Sequence, residues 1–140
     1  MRTRGPLLVS AAVIHRGGRV LVGQRRKADR HSLKWEFPGG KVEFGETPQQ
    51  ALVRELREEL RIEAKIGSEL ARYEHDYASG SRVHLLFFSV QQFEGVPEAQ
   101  VFEQICWTDL NSLPTLDFLE GDHDFVRRLA RGEFFIQLNA

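Results

Sequence analysis

The chain has 140 residues and a formal net charge of −1. This length suffices for one domain with a hydrophobic core and leaves little room for a second, and the near-neutral charge gives no electrostatic reason to expect duplex nucleic acid as a partner. Cys106 is the single cysteine, which excludes an internal disulfide and suits a reducing cytoplasm.

Two apolar, β-branched runs open the chain. Residues 7–14 and 19–23 predict strands, and the Arg16-Gly17-Gly18 segment between them predicts a hairpin turn. The first run is too short to span a membrane and is better interpreted as a strand than as a signal segment. We therefore expect no membrane partner.

A polar, basic loop follows at residues 24–31. One interpretation is a solvated loop without a ligand. Arginine also binds phosphate or a base carbonyl through paired hydrogen bonds, so Arg25 or Arg26 is expected to contact an anionic ligand if one binds beside this loop.

The next run, Trp35 to Lys41, combines aromatic residues with two glycines. Glycine lets the backbone approach a ligand closely, which makes Gly39 and Gly40 candidates for a ligand-contacting loop. Phe37 is either a core aromatic or part of a binding pocket. Lys41 is either a phosphate contact or a charge at a strand edge.

A helix is predicted at residues 48–60. Thr47 is a favourable N-cap, and Pro48 suits the first helical position, where its missing N–H costs nothing. Three leucines then fall on one stripe that should face the core: Leu52, Leu56 and Leu60.

The polar side of this helix carries three carboxylates. Glu55, Glu58 and Glu59 lie close together, because residues three and four apart are neighbours on a helix surface. One interpretation is a solvated acidic face relieved by nearby arginines. Clustered hard oxygen donors beside a glycine-rich loop are also the ligands that Mg²⁺ and Mn²⁺ prefer, and the second interpretation is a divalent metal site.

The spacing of these residues resembles the Nudix box of hydrolases that act on nucleoside-diphosphate-linked compounds. The match spans residues 40–62, with Gly40, Glu46 and the run Arg54-Glu55-Leu56-Arg57-Glu58-Glu59-Leu60 at their expected positions. Arg61 departs from the pattern, which has glycine there. If that glycine has a positive φ, a non-glycine residue costs about 1–2 kcal/mol, so Arg61 leaves the local turn open while no metal ligand is lost.

The resemblance implies a Nudix-type α/β/α sandwich with a mixed central sheet, formed as one α/β domain by residues 1–140. It also implies Mg²⁺, for which Mn²⁺ may substitute, as the cofactor. Glu58, Glu59 and the Gly39 carbonyl are the expected ligands. Glu55 is either a ligand of a second ion or the general base, and Arg54 orients the glutamates. Glu103 is the nearest candidate for the further acidic ligand that family members often use after the box.

Beyond the box, the hydrophobic pattern predicts strands at 64–77, 82–93 and 103–107, a helical turn at 108–113 and a last helix that ends at Ala130 before Gly132. The apolar segment from Glu133 to Ile136 is either a packed tail, an added strand or a dimer contact. The protein is accordingly expected to be a monomer or a homodimer.

The run Trp35 to Lys41 is similar to the MutT-like and CTP-pyrophosphohydrolase-like members of the family. Asp122 then matches a position that contacts the nucleobase in these enzymes, or it is the N-cap of the last helix. An ionised carboxylate favours a base edge with amino or imino donors, such as that of cytosine or oxidised guanine. The resemblance places four apolar residues around the base, with core packing as the alternative: Leu7, Val9, Phe37 and Val83.

The implied activity is hydrolysis of a nucleoside triphosphate to the monophosphate and pyrophosphate, which cleans the cytoplasmic nucleotide pool. The expected substrate is an 8-oxo-dGTP-like nucleotide or a cytosine nucleotide, possibly modified. Hydrolysis of ADP-ribose or of dinucleoside polyphosphates is an alternative, for which Tyr77 is a candidate contact. A nucleotide-sensing domain without turnover is another, although the complete set of box glutamates favours the enzyme.

Overall fold

The structure is a computed structural model that describes residues 7–134. Phe135 and Ile136 of the predicted tail lie outside these residues. Within them the chain forms nine strands and two α-helices in the following order: β1 Leu7–Arg16, β2 Arg19–Gln24, β3 Trp35–Glu36, β4 Gly39–Lys41, α1 Pro48–Leu60, β5 Glu63–Lys65, β6 Glu69–Asp76, β7 Arg82–Val90, β8 Gln92–Glu94, β9 Gln104–Asp109 and α2 His123–Ala130.

The central sheet is mixed. Strand β1 pairs in parallel with β7 and antiparallel with β2, which confirms the predicted hairpin. The strand order is β3-β2-β1-β7-β6, with β4 also paired to β1 and β9 to β2. Strands β3 and β4 therefore lie where β1 and β2 separate, which places Gly39 and Gly40 against the middle of β1.

Side chains from this sheet form two hydrophobic clusters, one on each face. Neighbouring residues of β1 and β7 point alternately to opposite faces, as the period of a strand requires. Ala12, Ile14, Leu86 and Phe88 pack with the three leucines of α1. Ala11, Val13, Leu85 and Phe87 pack with α2. A helix covers each face, and the predicted α/β/α sandwich is confirmed.

Helix α1 has the predicted boundaries. The Thr47 hydroxyl accepts a hydrogen bond from the Gln50 N–H at 3.1 Å, and the Gln50 side chain accepts one from the Thr47 N–H at 2.9 Å. At the other end Arg61 adopts the left-handed conformation, with φ 58° and ψ 37°. This resolves the question that the missing glycine raised, because Arg61 makes the turn at a conformational cost of about 1–2 kcal/mol.

Two predicted strands are wrong in extent, because each is interrupted. The segment 64–77 breaks at Gly67, whose N–H donates to the Ser89 carbonyl at 2.8 Å, and where a Cβ atom would lie 2.8 Å from that oxygen. The segment 82–93 breaks after Val90. Strand β5 lies before the first break and strand β8 lies after the second. These two strands pair with each other in a separate two-stranded sheet. The hydrophobic pattern continues through both breaks and carries no sign of the change of partner.

The segment before α2 also differs from its prediction. The predicted strand at 103–107 begins and ends later, at Gln104–Asp109, and the helical turn after it is a 3-10 helix at Leu110–Thr115. Trp35 then pairs with the segment 117–119 through two backbone hydrogen bonds, of 2.9 and 3.0 Å. No helix among residues 7–134 is long and apolar enough to cross a membrane.

Candidate active site

The two glycines of β4 lie between β1 and α1. A Cβ atom on Gly39 would lie 2.8 Å from the Ala11 Cα atom, and one on Gly40 would lie 2.6 Å from a carboxylate oxygen of Glu55. Both positions therefore require glycine because other parts of the protein approach them closely. The close approach holds the box helix directly against the β4 backbone.

Arg54 connects the carboxylates of this region. Its guanidinium donates to Glu46 at 2.8 and 3.0 Å, to the Lys41 carbonyl at 3.0 Å and to Glu55 at 2.9 Å. Glu58 lies 3.5 Å from the same group. The Arg54 hydrogen bonds lower the pKa of Glu46 to about 2, with help from the Glu43 N–H. Arg54 therefore contacts Glu46, Glu55 and Glu58, and its role in orienting the glutamates stays a prediction.

Glu59 and Glu55 are partly buried against β4. The Gly39 N–H donates to the Glu59 carboxylate at 3.0 Å. Burial raises the pKa of Glu59 well above its usual range, and the charges of Glu36 and Glu55 raise it further. Burial also raises the pKa of Glu55, against the effect of the Arg54 hydrogen bond. The basic side chains of the protein therefore do not fully neutralise the carboxylates of this region.

The donor set fits a hard divalent cation, since carboxylate oxygens crowd beside an exposed backbone. Glu58 is exposed at 59% of its side chain and projects from the same helix. In residues 7–134, no group of three acidic, histidine or cysteine side chains already converges as metal ligands. Glu55 is instead directed to Arg54 and Glu59 to the Gly39 N–H. Glu103 is exposed just before β9, where its N–H donates to the Gln24 carbonyl at 2.8 Å.

Glu36 is a site residue that the sequence analysis missed. Its carboxylate accepts a hydrogen bond from Arg25 at 2.8 Å, and its side chain is only 13% exposed. Burial raises the pKa of Glu36, while the Arg25 hydrogen bond opposes the rise. The available signal was a charged residue between two core aromatics, Trp35 and Phe37, where an apolar residue is the more common choice.

The two arginines of the basic loop have different environments. Arg25 is engaged with Glu36 and with the Arg30 carbonyl at 2.7 Å. Arg26 donates to the Gln100 carbonyl at 3.0 Å and makes no ion pair with the part of the chain that the structure describes. Lys41 is exposed at the end of β4.

Asp122 lies in a second acidic position, beside Glu36. It is 6% exposed and occupies the N-cap position of α2, as the alternative predicted, but its side chain makes no capping hydrogen bond. Burial raises the pKa of Asp122 to about 8, with a further contribution from the charge of Glu36. Tyr77 lies close to the neighbouring Gly121, and its ring packs against His75 with a centroid distance of 4.4 Å.

The four predicted pocket residues divide into two groups. Leu7 and Val83 are paired in register at the start of β1 and β7, with Val9 two residues further along β1. Leu7 is 42% exposed at the start of β1, whereas Val83 is 7% exposed and belongs to the same core cluster as Phe37. Phe37 is 3% exposed and packs against three aromatic rings, which makes it a core side chain.

Comparison with known proteins identifies the family. A family model described as the NUDIX domain matches residues 6–129. The CTP pyrophosphohydrolase of Escherichia coli strain K12 is 43% identical over 99 residues, which cover 71% of this chain and 73% of that protein. The 8-oxo-dGTP diphosphatase of the same strain is 34% identical over 126 residues, which cover 89% of this chain and 97% of that protein.

The fold agrees with these matches. The crystal structure of the MutT NUDIX hydrolase from Burkholderia pseudomallei superposes with a TM-score of 0.77 at 28% identity, and the match covers 91% of this chain and 98% of that one. The box helix and the sheet that supports it lie within residues 6–129, which the family model matches. The chain belongs to the NUDIX family, as a hydrolase of the MutT-like group.

Proposed function

We propose that the protein hydrolyses a nucleoside triphosphate to the monophosphate and pyrophosphate with Mg²⁺, and that it removes nucleotides with oxidised guanine, or with normal or modified cytosine, from the cytoplasmic pool. The observation that carries the proposal is the crowding of box carboxylates against the Gly39–Gly40 backbone. Two relatives, a CTP pyrophosphohydrolase and an 8-oxo-dGTP diphosphatase, support the same reaction class.

Nudix hydrolases of the MutT type generally use a divalent metal. In this chain Glu58, Glu59 and the Gly39 carbonyl would hold it, because the Glu59 carboxylate lies beside Gly39, whose N–H donates to it at 3.0 Å, and Glu58 precedes Glu59 on α1. A bound divalent cation neutralises phosphate oxygens and increases the acidity of water. The raised pKa of Glu59 supports this assignment, since a cation would offset the burial, and the repulsion by Glu36 and Glu55, that raise it.

Glu55 is the proposed general base. It accepts the proton of a water molecule that attacks an internal phosphorus, and the bond to the pyrophosphate group breaks. The Arg54 hydrogen bond keeps the Glu55 carboxylate beside Gly40. Its raised pKa suits a base, because a carboxylate with a pKa closer to neutrality binds the transferred proton more strongly. Arg26 contacts the phosphates, since its guanidinium has no acidic partner in residues 7–134.

Asp122 is the proposed base-reading residue, and its pKa of about 8 changes the chemistry expected of it. At neutral pH it is largely a neutral acid with one O–H donor and one acceptor. This donor and this acceptor match a nucleobase edge that presents an acceptor next to a donor. Cytosine offers N3 and N4–H₂, and 8-oxo-guanine offers O6 and N7–H, whereas N7 of unmodified guanine carries no hydrogen.

The first test is pyrophosphate release from a panel of normal and oxidised or methylated nucleoside triphosphates with Mg²⁺. We expect turnover by the wild type and a fall in kcat of more than about 100-fold in Glu58→Gln and Glu59→Gln. Glu94→Gln, an exposed glutamate of β8, is the control and should retain full activity. Tight nucleotide binding by a wild type that hydrolyses none of the panel would instead identify a sensor.

The second test concerns the base. Asp122→Ala is expected to change the ranking of bases by about 10-fold or more, because a specific hydrogen-bonded pair is lost, while Mn²⁺ binding is retained. A ranking identical to that of the wild type would remove Asp122 from base recognition without affecting the proposal for the metal site.

A further inference from the structure

Arg61 ends α1 in a conformation that glycine adopts more readily, with φ 58°. Its backbone N–H donates to the carbonyls of Arg57 and Leu56, so the turn is fully formed. Its side chain is exposed and makes no hydrogen bond or ion pair with any residue in the range 7–134. The protein therefore carries a conformational cost at a position where the guanidinium contributes no contact to the fold.

The side chain faces a cavity of about 460 Å³ beside the box helix, which also contains Glu58. The second arginine of this cavity, Arg57, is already neutralised, since it donates to Glu63 at 2.5 and 2.9 Å. Arg61 thus supplies positive charge that the described residues do not balance, next to a glutamate that we assign to the metal.

Gln100 connects this cavity to the basic loop. It lines the cavity, its carbonyl accepts the Arg26 guanidinium at 3.0 Å, and its N–H donates to the Glu59 carbonyl at 3.2 Å. Two arginines without acidic partners in residues 7–134, Arg26 and Arg61, therefore flank the same segment. Each guanidinium can bind two phosphate oxygens in parallel.

We propose that Arg61 binds the terminal phosphates of a nucleoside triphosphate, the part that leaves as pyrophosphate, and so selects triphosphates over diphosphates. A polyphosphate chain held at Glu58 would extend into this cavity toward Arg61, with Arg26 on the adjoining Gln100 carbonyl. This inference rests on the proposed function. It adds Arg61, the residue at which the chain departs from the Nudix pattern, to the proposed substrate site.

The test compares three substitutions. Arg61→Asn removes the charge and keeps a side chain that tolerates the left-handed conformation, Arg61→Gly removes the charge and the conformational cost, and Arg61→Lys keeps the charge. For triphosphates we expect KM to rise about five- to tenfold in the Asn and Gly variants, with kcat within about twofold of wild type and Lys restoring much of the loss. The inhibition constant of the nucleoside diphosphate should stay unchanged.

The double variant Arg57→Gln with Glu63→Gln is the matched control, because it removes a neutral pair from the same cavity. Its KM should equal that of the wild type. A purely structural role for Arg61 predicts a higher unfolding temperature in Arg61→Gly with no change in KM for triphosphates, and that result would overturn the inference.

A binding experiment distinguishes failure of the Arg61 contact from failure of the proposed function. If the wild type hydrolyses no triphosphate, calorimetric binding of Mg²⁺–tripolyphosphate still tests the contact. A five- to tenfold weaker Kd in Arg61→Asn supports it, whereas an equal Kd, or no binding by the wild type, contradicts it.

Discussion

Asp122 and Glu36 illustrate how the same residue type has different chemistry in different surroundings. Glu36 keeps a cationic partner in Arg25, at 2.8 Å. Asp122 is buried without one, and its pKa therefore rises to about 8, with Glu36 adding to the effect. The acid that sequence reasoning treated as an ionised acceptor is mainly protonated at neutral pH. Its expected partner on the base changes accordingly, from two donors to a donor and an acceptor.

This pKa predicts a pH dependence of stability. Because the folded-state pKa lies above the ordinary value of 3.8, the folded chain holds a proton that the unfolded chain has already lost between these values. The free energy of unfolding therefore falls as pH rises from about 4 to about 8, with a slope that approaches about 1.4 kcal/mol per pH unit from this group. Below about pH 4 Asp122 is protonated in both the folded and the unfolded chain, so it no longer lowers the free energy of unfolding.

Asp122→Asn removes the titrating group and should be more stable than wild type at pH 8, with the difference shrinking toward pH 5. Denaturant unfolding at several pH values measures it, and Asp117→Asn, an exposed aspartate of the same segment, is the control. A difference that does not depend on pH would show that Asp122 ionises normally.

At the scale of elements, α1 positions the box residues because both of its ends are specified locally. The Thr47–Gln50 capping box sets the first turn, and Arg61 ends the last one. Between them the helical repeat places the leucines on the core and Glu55 and Glu59 against β4. The cap stabilises the first turn, whereas the leucine face fixes the position of the helix.

Thr47→Ala removes the hydroxyl that accepts the Gln50 N–H. We expect a loss of about 1 kcal/mol in the free energy of unfolding, which corresponds to a fall of about 3–4 °C in the unfolding temperature for a chain of this size. The core face of α1 still fixes its position, so kcat should change little. Thr47→Ser retains the acceptor and should behave as wild type, and an unchanged stability in Thr47→Ala would show that the cap is unimportant.

At the scale of the whole molecule, the sheet brings the acidic helix, the glycine strand and the segment of Asp122 together. Strand β3 pairs with β2, and strand β4 pairs with β1. The acidic helix is thereby held against a fixed backbone. If a cation binds there, it stabilises the folded state because the unfolded chain lacks the arrangement.

Mn²⁺ at about 100 times its Kd should raise the unfolding temperature by about 8–11 °C, which corresponds to about 2.7 kcal/mol. Addition of EDTA should reverse the rise. Glu59→Gln should abolish most of it, since it removes a proposed ligand, and Glu94→Gln should leave it intact. Full metal-dependent stabilisation in Glu59→Gln would contradict the assignment of Glu59.

The amino-acid sequence by itself determined the features that depend on near neighbours in the chain. The hairpin at Gly17–Gly18, both ends of α1, its leucine stripe and the adjacency of Glu55, Glu58 and Glu59 follow from turn chemistry and from the helical repeat. The spacing of the box residues belongs to the same class, which is why it identified the family before any fold was known.

Tertiary structure alone decided the properties that come from distant residues and from burial. The interruption at Gly67 arises from the Ser89 carbonyl, and Glu36 acquires its importance from its proximity to Glu59 and Asp122. The titration of Asp122 depends on the exclusion of water by surrounding residues. Chain packing sets these distances and the local dielectric, and neither quantity is encoded in the order of neighbouring residues.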